Sequence, residues 1–562
     1  MMVFDSAHKE RCASLFLEWL PFIVVAIIWL YFAVLDPVPF WQQVGDYSWY
    51  ALSHAFTFEA KVEGYRAANF GYNIHPGVPF GVVSWIAFRL ATYAAGDSGE
   101  RVVFAINHAE TFWTWAKFIA LVLNLSGMYV LKRMFKGDVV RFCIACCVYF
   151  AAVPASFGAS FLQLTNESFA LVYIVTFYWL IFRLLSEPDA VIGIGTMKVF
   201  SVSMRDLLSF CLGALTAFGL SMKIYYTAPA FGLVAGFWAA IVFGSFGKKS
   251  VVRLFGIFLG SFVLFGWLIV AFIVGLPALK TWILWNYGML SHSNHYGSGE
   301  QGFIQLSSAF GAIKSLIFTT LGTFPMIVAF VAVVFVSVMI RNANDKSWGR
   351  KYFPFVVAIS FGILINITGL LKHYAQHYAL PLCASLVCLL LIQGKIVYSR
   401  VMSGFALSFV VMLLAVNLNS YAATHMHSIE MANAVIRDCK MIEKLPISSN
   451  EMRVWGYFSP TKNGILPMVK QYSGSDFISG IVLKSSSSVD IVPGNERDDS
   501  DWRYVLFPKA YYPSRESVFE NYRKMFDFKA TKFEIADTDN ITELETFFLL
   551  VREQKYPLNK TH

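Results

Sequence analysis

Long apolar runs, separated by short polar or charged segments, dominate the first 420 positions of the chain. A membrane-spanning helix requires roughly 20 predominantly apolar residues. The first run contains Glu18 and no small-residue cleavage site, so it is predicted to be a retained span and not a signal peptide. The pattern predicts eleven transmembrane helices, over residues 15–36, 112–131, 139–156, 167–185, 206–221, 226–246, 254–275, 315–340, 353–371, 378–394 and 402–420.

Beyond residue 420 the pattern changes to short apolar stretches among frequent charges. The last 142 residues hold 18 Lys and Arg and 19 Asp and Glu, against 27 and 17 in the 420 residues before them. We predict a polytopic membrane helix bundle over 1–420 and a water-soluble, mixed α/β domain over 421–562. Within that domain the pattern favours a helix near 425–444 and strands at 452–458, 481–484, 488–492, 503–507 and 546–551.

Composition supports a membrane protein. Hydrophobic residues make up 57% of the chain and charged residues 14%, with a mean hydropathy of +0.55. An ordinary soluble domain has about 25% charged residues. These values exclude a soluble enzyme, a disordered protein and a nucleic-acid-binding module. The net charge of +9 does not indicate a polyanionic partner, because the location of the basic residues along the chain explains it.

The distribution of basic residues predicts the orientation. Segment 78–95 is apolar enough to span but contains Arg89. If it stays on the outer surface as an interfacial or re-entrant helix, the inner loops hold 18 basic residues and the outer segments before residue 421 hold nine. The positive-inside rule favours this topology. It places the N-terminus in the cytoplasm and the C-terminal domain outside, with long outer loops at 37–111 and 276–314, and loops of that length are usually functional.

Ionisable groups at membrane depth are functional candidates because they are costly there. Asp46, ten residues past the first span, is a candidate general base, with a helix N-cap as the alternative. His75, before Pro76 and Gly77, is a candidate ligand for a hydroxyl or phosphate, or a turn residue. Glu167 opens the fourth span as an acceptor-binding carboxylate or metal ligand, or as a charge that stabilises the helix N-terminus.

Cations accompany these carboxylates. Lys223 lies in a tight turn between two spans, where a lysine is either a phosphate ligand or snorkels to the headgroups. Lys372, Gln376 and either His373 or His377 are candidates to surround an anionic leaving group, and interfacial packing is the alternative. The two histidines are four residues apart and would share a helix face. A zinc site would need a third ligand, for which the segment with Asn294 and His295 is a source.

Carboxylates and cations at one membrane surface suit a substrate whose leaving group is a lipid-borne phosphate. Cations stabilise the departing phosphate, and a carboxylate takes the proton from the attacking hydroxyl. The sequence has no glycine-rich phosphate loop on the cytoplasmic side, so the lipid-linked donor itself would supply the energy.

The order of these motifs resembles the GT-C glycosyltransferases, in particular the protein O-mannosyltransferase and aminoarabinose (lipid A) transferase type. Asp46 stands where that family has its catalytic Asp, though Tyr47 follows it in place of a second acid. The family's His-Pro-Pro-Leu-like stretch is matched, with Gly for the second Pro, by His75-Pro76-Gly77-Val78. The remaining matches are Glu167, Gly219-Leu220 with Lys223, and His377-Tyr378-Ala379-Leu380-Pro381.

The resemblance implies an inverting transfer of a sugar from a polyprenyl-phosphate donor to a lipid, glycan or protein acceptor, with Asp46 as general base. It implies no nucleic-acid partner. Some members use a divalent metal, Mg or Mn, for which Asp46 and Glu167 would be the ligands. A bacterial inner membrane with a periplasmic C-terminal domain is the expected location. The expected donor phosphate ligands are Lys223, Lys372, His373 and His377, and the expected acceptor or substrate ligands are Glu167, His75, Tyr47, Asn294 and His295.

Two other functions stay open on the sequence. A polysaccharide polymerase or ligase would use lipid-diphosphate substrates and typically rely on outer-loop arginines, of which this chain has Arg66, Arg89 and Arg101. A transporter or flippase would more often show internal repeats with charges near the midplane.

Overall fold

The computed structural model of the chain describes most of the first 442 residues and parts of the remainder. The described residues are 6–42, 45–63, 77–135, 137–187, 189, 191–194, 200–275, 279–280, 282–284, 287–288, 306–320, 322–372, 375–392, 400–442, 452–454, 504–509, 514, 516, 540–545 and 547–551. Tyr47 and Asp46 lie on a described helix, but their side chains are outside the description, as are all of His75, Asn294, His295 and His373.

The described residues form sixteen α-helices, several of which continue into short π- or 3₁₀-helical turns. The α-helices are α1 Ser6–Trp29, α2 Gly45–Val62, α3 Val78–Ala91, α4 Ser98–Asn107, α5 Ala109–Met134, α6 Val139–Ala151, α7 Ala155–Phe157, α8 Ala170–Ser186, α9 Met204–Met222, α10 Ala228–Val242, α11 Lys248–Leu268, α12 Leu306–Phe318, α13 Thr323–Asn342, α14 Lys346–Lys372, α15 Leu380–Leu389 and α16 Arg400–Ile442. The π-helical turns are Leu30–Leu35, Gly158–Leu162 and Ile269–Val274, and the 3₁₀ turns are Phe40–Gln42, Asn166–Phe169, Ile224–Thr227 and Gln376–Ala379.

Eight helical segments in the described part of the chain are long and apolar enough to cross a membrane, and a bent pair would make nine. The protein is therefore an integral, multi-pass membrane protein of helical class, as predicted. The eight are Leu17–Leu35, Ala109–Met134, Asn166–Ser186, Ile224–Val242, Lys248–Val274, Thr323–Asn342, Lys346–Lys372 and Ser403–Asp438.

Three predicted spans, 139–156, 206–221 and 378–394, are not among the eight, and a fourth, 315–340, is shorter than predicted. The segment 139–156 is not one straight helix, because α6 and the Ala155–Leu162 segment meet at 104°. The segment 315–340 is divided between α12 and α13 at Gly322, whose φ of +75° a helix cannot accommodate. The predicted spans 206–221 and 378–394 correspond to α9 and to the shorter helical segment Gln376–Leu389.

The described helices separate into two compact units. The first comprises residues 1–36, 70–83 and 116–423, and the second comprises 37–69, 84–115 and 424–562. In the first unit, small residues allow helices to pack closely. Gly232 of α10 lies against the backbone carbonyl of Ala358 in α14, and Gly213 of α9 lies against that of Phe258 in α11. A Cβ at either glycine would overlap these carbonyls, which is typical of helix packing in membranes.

A buried carboxylate holds together three helices of the second unit, α2, α3 and α4. Glu59 of α2 is fully buried and accepts hydrogen bonds from Arg89 Nε of α3 and Arg101 Nε of α4, both at 2.8 Å. Trp85 Nε1, at 2.9 Å, and Ser98 Oγ, at 3.0 Å, donate to the same carboxylate. These hydrogen bonds to the Glu59 carboxylate offset the free-energy cost of removing its charge from water. Glu59 was not among the residues predicted from the sequence to be functional.

The described part of the C-terminal region is a mixed sheet preceded by a long helix. Its strands are β3 Met452–Val454, β4 Tyr504–Pro508, β5 Asn540–Glu543 and β6 Phe547–Val551, in the order β3-β4-β6-β5, with β3 and β4 parallel and the other pairs antiparallel. Three of these match predicted strands, and the predicted strands at 481–484 and 488–492 lie outside the described residues. A hairpin of β1 Val191–Ile194 and β2 Phe200–Ser203 was not predicted.

Candidate active site

Three helices of the first unit each begin with one turn of 3₁₀ helix. The turns Asn166–Phe169, Ile224–Thr227 and Gln376–Ala379 lead directly into α8, α10 and α15. In α10 and α15 a proline, Pro229 or Pro381, occupies the first helical turn. Proline is tolerated there because its missing N–H would have no partner within the helix.

These three turns meet. The hydroxyl of Tyr226 donates to the carbonyl of Asn166 at 2.6 Å. The rings of Tyr225 and Tyr378 lie 5.8 Å apart. The convergence brings together the N-termini of three helices, each of which carries a partial positive charge. Such an arrangement favours a negative charge at the point where the helix ends meet.

The centre of the convergence is a buried ion pair. Lys223 Nζ lies 2.9 Å from Glu167 Oε1, and the side chains are 9% and 0% exposed. The hydroxyl of Tyr225 donates to the same carboxylate oxygen. A carboxylate and an ammonium taken out of water are tolerated only when each neutralises the other and their hydrogen bonds are largely made. Because both side chains are buried, each charge requires the other as its partner.

The other oxygen of Glu167 has a different environment. Oε2 is buried and makes no hydrogen bond within the described part of the chain. A buried acceptor without a donor is costly, so this oxygen is suited to receive a hydrogen bond from a bound hydroxyl.

Aromatic rings surround the cation. Lys223 Nζ lies 4.4 Å from the ring centre of Tyr378 and 5.5 Å from that of Tyr225, distances at which a ring face attracts a cation. Burial alone lowers the pKa of Lys223, but the Glu167 carboxylate more than reverses that effect, and the net shift of its pKa is upward. Lys223 is therefore cationic at neutral pH.

Buried polar side chains fix the backbone that presents Glu167. Thr165 caps the turn, since its hydroxyl accepts from the Glu167 N–H at 3.0 Å and its own N–H donates to Ser168 Oγ at 3.0 Å. Asn124 Nδ2 of α5 donates to the carbonyl of Ser160 at 2.7 Å and to that of Ser168 at 3.2 Å. The bent α6–α7 segment and the Glu167 turn are thereby held to one another.

The corner at Gly77 packs on the lysine turn. Gly77 has a φ of +150°, and a Cβ there would overlap the backbone carbonyl of Met222, the residue before Lys223. Gly77, from one motif quoted for the family resemblance, is thus in contact with the residue that precedes Lys223 of another. Proline, with its φ fixed near −65°, could not adopt this conformation. The substitution of glycine for the family's second proline therefore has a structural reason.

The structure brings together some of the predicted site residues. Glu167 and Lys223 are paired, and His377 lies in the third turn, within electrostatic range of Glu167. Lys372 is half-buried at the last residue of α14, four residues before that turn. Asp46 lies in the first turn of α2 in the second unit.

The donor set does not fit a divalent metal. Among the residues that the structure describes, there is no group of three or more His, Cys, Asp or Glu that could hold a metal ion. Glu167 already has an ammonium group 2.9 Å from one of its oxygens, and a second cation there would be repelled by it. The sequence left a metal open, with Asp46 and Glu167 as its ligands if one binds, and Glu167 does not fit that role.

Sequence reasoning gave no role to the tyrosines of the site. Tyr225 donates to Glu167, and Tyr378 faces Lys223. A signal does exist in the sequence for Tyr378 and for Tyr226, the neighbour of Tyr225, because Tyr226-Thr-Ala-Pro229 and Tyr378-Ala-Leu-Pro381 share a Tyr-x-x-Pro pattern just after the two predicted cationic turns.

Comparisons with protein-family models and with curated proteins find no match. Among solved structures, the chain is similar to the crystal structure of ArnT from Cupriavidus metallidurans bound to undecaprenyl phosphate. The likeness covers 94% of this chain and 97% of that chain, with a TM-score of 0.46 and 11% identity.

Proposed function

We propose that the protein is a membrane glycosyltransferase that moves a sugar from a polyprenyl-phosphate donor to an acceptor hydroxyl on the extracytoplasmic face of a bacterial inner membrane. The acceptor oxygen forms a bond to the anomeric carbon, and the bond from that carbon to the phosphate oxygen breaks. The bonding electron pair leaves with the polyprenyl phosphate, the configuration inverts, and the acceptor proton passes to Asp46.

The observation that carries this proposal is the buried Glu167–Lys223 pair at the meeting point of three helix N-termini. The leaving phosphate gains a negative charge as its bond to the sugar breaks. Fixed positive charge at the place where negative charge develops is an effective way to stabilise a transition state. Lys223 and the three helix ends would supply that charge, and Glu167 keeps the lysine protonated and in place.

The other predicted residues take roles around this centre. Lys372, His373 and His377 are proposed to bind the donor phosphate together with Lys223. The acceptor side is assigned to Glu167, whose Oε2 is available to a hydroxyl, and to Tyr47, His75, Asn294 and His295. The acceptor itself is a lipid, a glycan or a protein.

The test is an assay of donor consumption with the purified protein and a membrane extract as the source of acceptor. The Asp46→Asn variant should lose at least about a hundredfold in rate, the typical contribution of a general base. Asp97→Asn is a matched control, because Asp97 caps α4 in the same loop and asparagine caps equally well. The control should retain the parental rate.

The same assay separates the alternatives. A lipid-monophosphate sugar should be consumed and a lipid-diphosphate sugar should not. Wild-type rate in the Asp46→Asn variant would disprove the assigned base, and consumption of the diphosphate donor alone would replace the proposal with a polymerase or ligase.

A further inference from the structure

A second polar site lies at the opposite end of the first unit. It is a cleft of about 650 Å³, a volume in the range of ligand-binding pockets. Its polar lining comes from α1, α5, α6 and α8 and the residues that flank them: Glu18, Lys132, Arg133, Asp138, Arg183 and Glu187. Arg183 lies 16 residues after Glu167, and a helical rise of 1.5 Å per residue separates the two by roughly 24 Å along α8. The cleft is therefore at the membrane interface opposite the candidate active site.

The lining has no net charge, because it contains equal numbers of basic and acidic side chains. Three basic and three acidic side chains face the cleft. Lys132 Nζ lies 2.8 Å from Glu18, and Arg183 Nε lies 2.7 Å from Glu187. Arg133 is exposed at the cleft. A lining of this kind does not favour a purely anionic ligand, because Lys132 and Arg183 each have a carboxylate within 3 Å.

Aromatic and apolar groups place the cleft at headgroup depth. Lys132 Nζ lies 4.4 Å from the ring centre of Trp19, and the Arg183 guanidinium lies 5.8 Å from that of Trp179. Tryptophan is enriched where acyl chains meet headgroups. Phe142 contributes an apolar side chain to the lining, and Trp19 is 48% exposed on the apolar face of α1. A ligand in the cleft can therefore extend an apolar tail along that face.

From these observations we propose that the cleft binds one zwitterionic phospholipid whose headgroup carries a phosphate and a primary amine. Arg133, assisted by Lys132 and Arg183, contacts the phosphate. The carboxylates of Glu18 and Glu187 accept hydrogen bonds from the ammonium, whereas Asp138 already pairs with Arg141 at 3.0 Å. A quaternary ammonium has no N–H to donate to the carboxylates and therefore binds more weakly. A headgroup without an amine has no cation for the carboxylates, which then repel its phosphate. This site does not depend on the proposed glycosyl transfer.

The experiment is a lipid titration of the delipidated, detergent-purified protein, followed by native mass spectrometry. The probes are phosphatidylethanolamine, phosphatidylcholine and phosphatidylglycerol with the same acyl chains. The parent protein should bind one phosphatidylethanolamine about tenfold more tightly than either other lipid, the effect of a charge-assisted hydrogen bond. Arg133→Gln should weaken all three, and Glu18→Gln with Glu187→Gln should abolish the preference for the primary amine.

The control is Arg253→Gln. Arg253 is 60% exposed, pairs with Asp206 at 3.0 Å and is predicted to lie on the same membrane face, away from the cleft. The Arg253→Gln variant should bind the three lipids with the affinities of the parent protein. Equal affinity of the parent for the three lipids, no effect of Arg133→Gln, or equal weakening by Arg253→Gln would each overturn the proposal. Soluble phosphoethanolamine should not displace the lipid at equal concentration, and displacement would overturn the assignment to a membrane lipid.

Discussion

At the scale of residues, the molecule depends on charges that are buried in pairs. Glu167 and Lys223 neutralise each other at the start of two helices, and two arginines of α3 and α4 pair with Glu59 of α2. Removing one partner of such a pair leaves the other charge without compensation, which costs more than the pair contributes.

The first prediction uses this asymmetry. Lys223→Met should lower the free energy of unfolding by about 3 kcal/mol, because Glu167 is left buried without its cation. The double variant Lys223→Met with Glu167→Gln should recover most of that loss, since the buried pair is then neutral. Thermal unfolding of the purified proteins in detergent measures both. Equal stability of the single and double variants would contradict the pairing.

The double variant also separates folding from function. It should fold and yet consume no donor, since the cation proposed to meet the phosphate is absent. Parental consumption by that folded variant would show that Lys223 has a structural role alone.

Part of this site was predictable from single residues. Glu167 and Lys223 were identified because a charge beside an apolar span requires an explanation. Their direct contact was not predictable, because they are 56 residues apart and one sequence gives no distance between helices. Tyr225 and Tyr378 were missed because aromatic residues are common at membrane interfaces for anchoring alone. Glu59 was missed because its apolar neighbours on α2 are typical of an ordinary amphipathic helix.

At the scale of elements, hydropathy located the helices well and their breaks poorly. The bend of 104° after α6 leaves backbone carbonyls without partners in their own helix, and Asn417 of α16 donates to that of Ala151. Thr323 Oγ1 contacts Asn417 Oδ1 at 3.2 Å. A polar residue on one helix thus permits a break in another, and such tertiary compensation does not appear in a hydropathy pattern.

The second prediction concerns the Gly77 corner. Gly77→Ala should destabilise the protein by roughly 2 kcal/mol, because alanine disfavours a φ of +150° and its Cβ would overlap the Met222 carbonyl. It should also reduce donor consumption, since Met222 adjoins Lys223. Gly256→Ala is the control, because that glycine lies inside α11 with nothing within 4 Å. The control should be as stable as the parent or slightly more so.

Unfolding midpoints and donor assays on the same preparations test this contact. Equal effects of the two substitutions would mean that the Gly77 corner does not constrain the lysine turn.

At the scale of the whole molecule, charge asymmetry predicts the topology. The third prediction places Ser250, at the start of α11, in the cytoplasm and Tyr93, which is 85% exposed after α3, outside. In a variant lacking all eight cysteines, Tyr93→Cys should react with a membrane-impermeant maleimide in intact cells. Ser250→Cys should react only after the membrane is opened. The reverse pattern would invert the orientation and remove the extracytoplasmic chemistry.

The length of one helix has a further consequence for the surrounding lipid. The charges at the two ends of the Glu167–Arg183 stretch are separated by roughly 24 Å along the axis, whereas the hydrocarbon core of a typical bilayer is about 30 Å thick. Glu167 is fully buried, so with Arg183 at one headgroup layer its end of the stretch lies inside the protein, about 6 Å below the other layer of such a bilayer. A thinner bilayer would bring the headgroup of a lipid donor closer to that depth. We therefore expect donor consumption to be faster in vesicles of shorter acyl chains than in longer-chain vesicles, and the local membrane thickness would then regulate the proposed transfer.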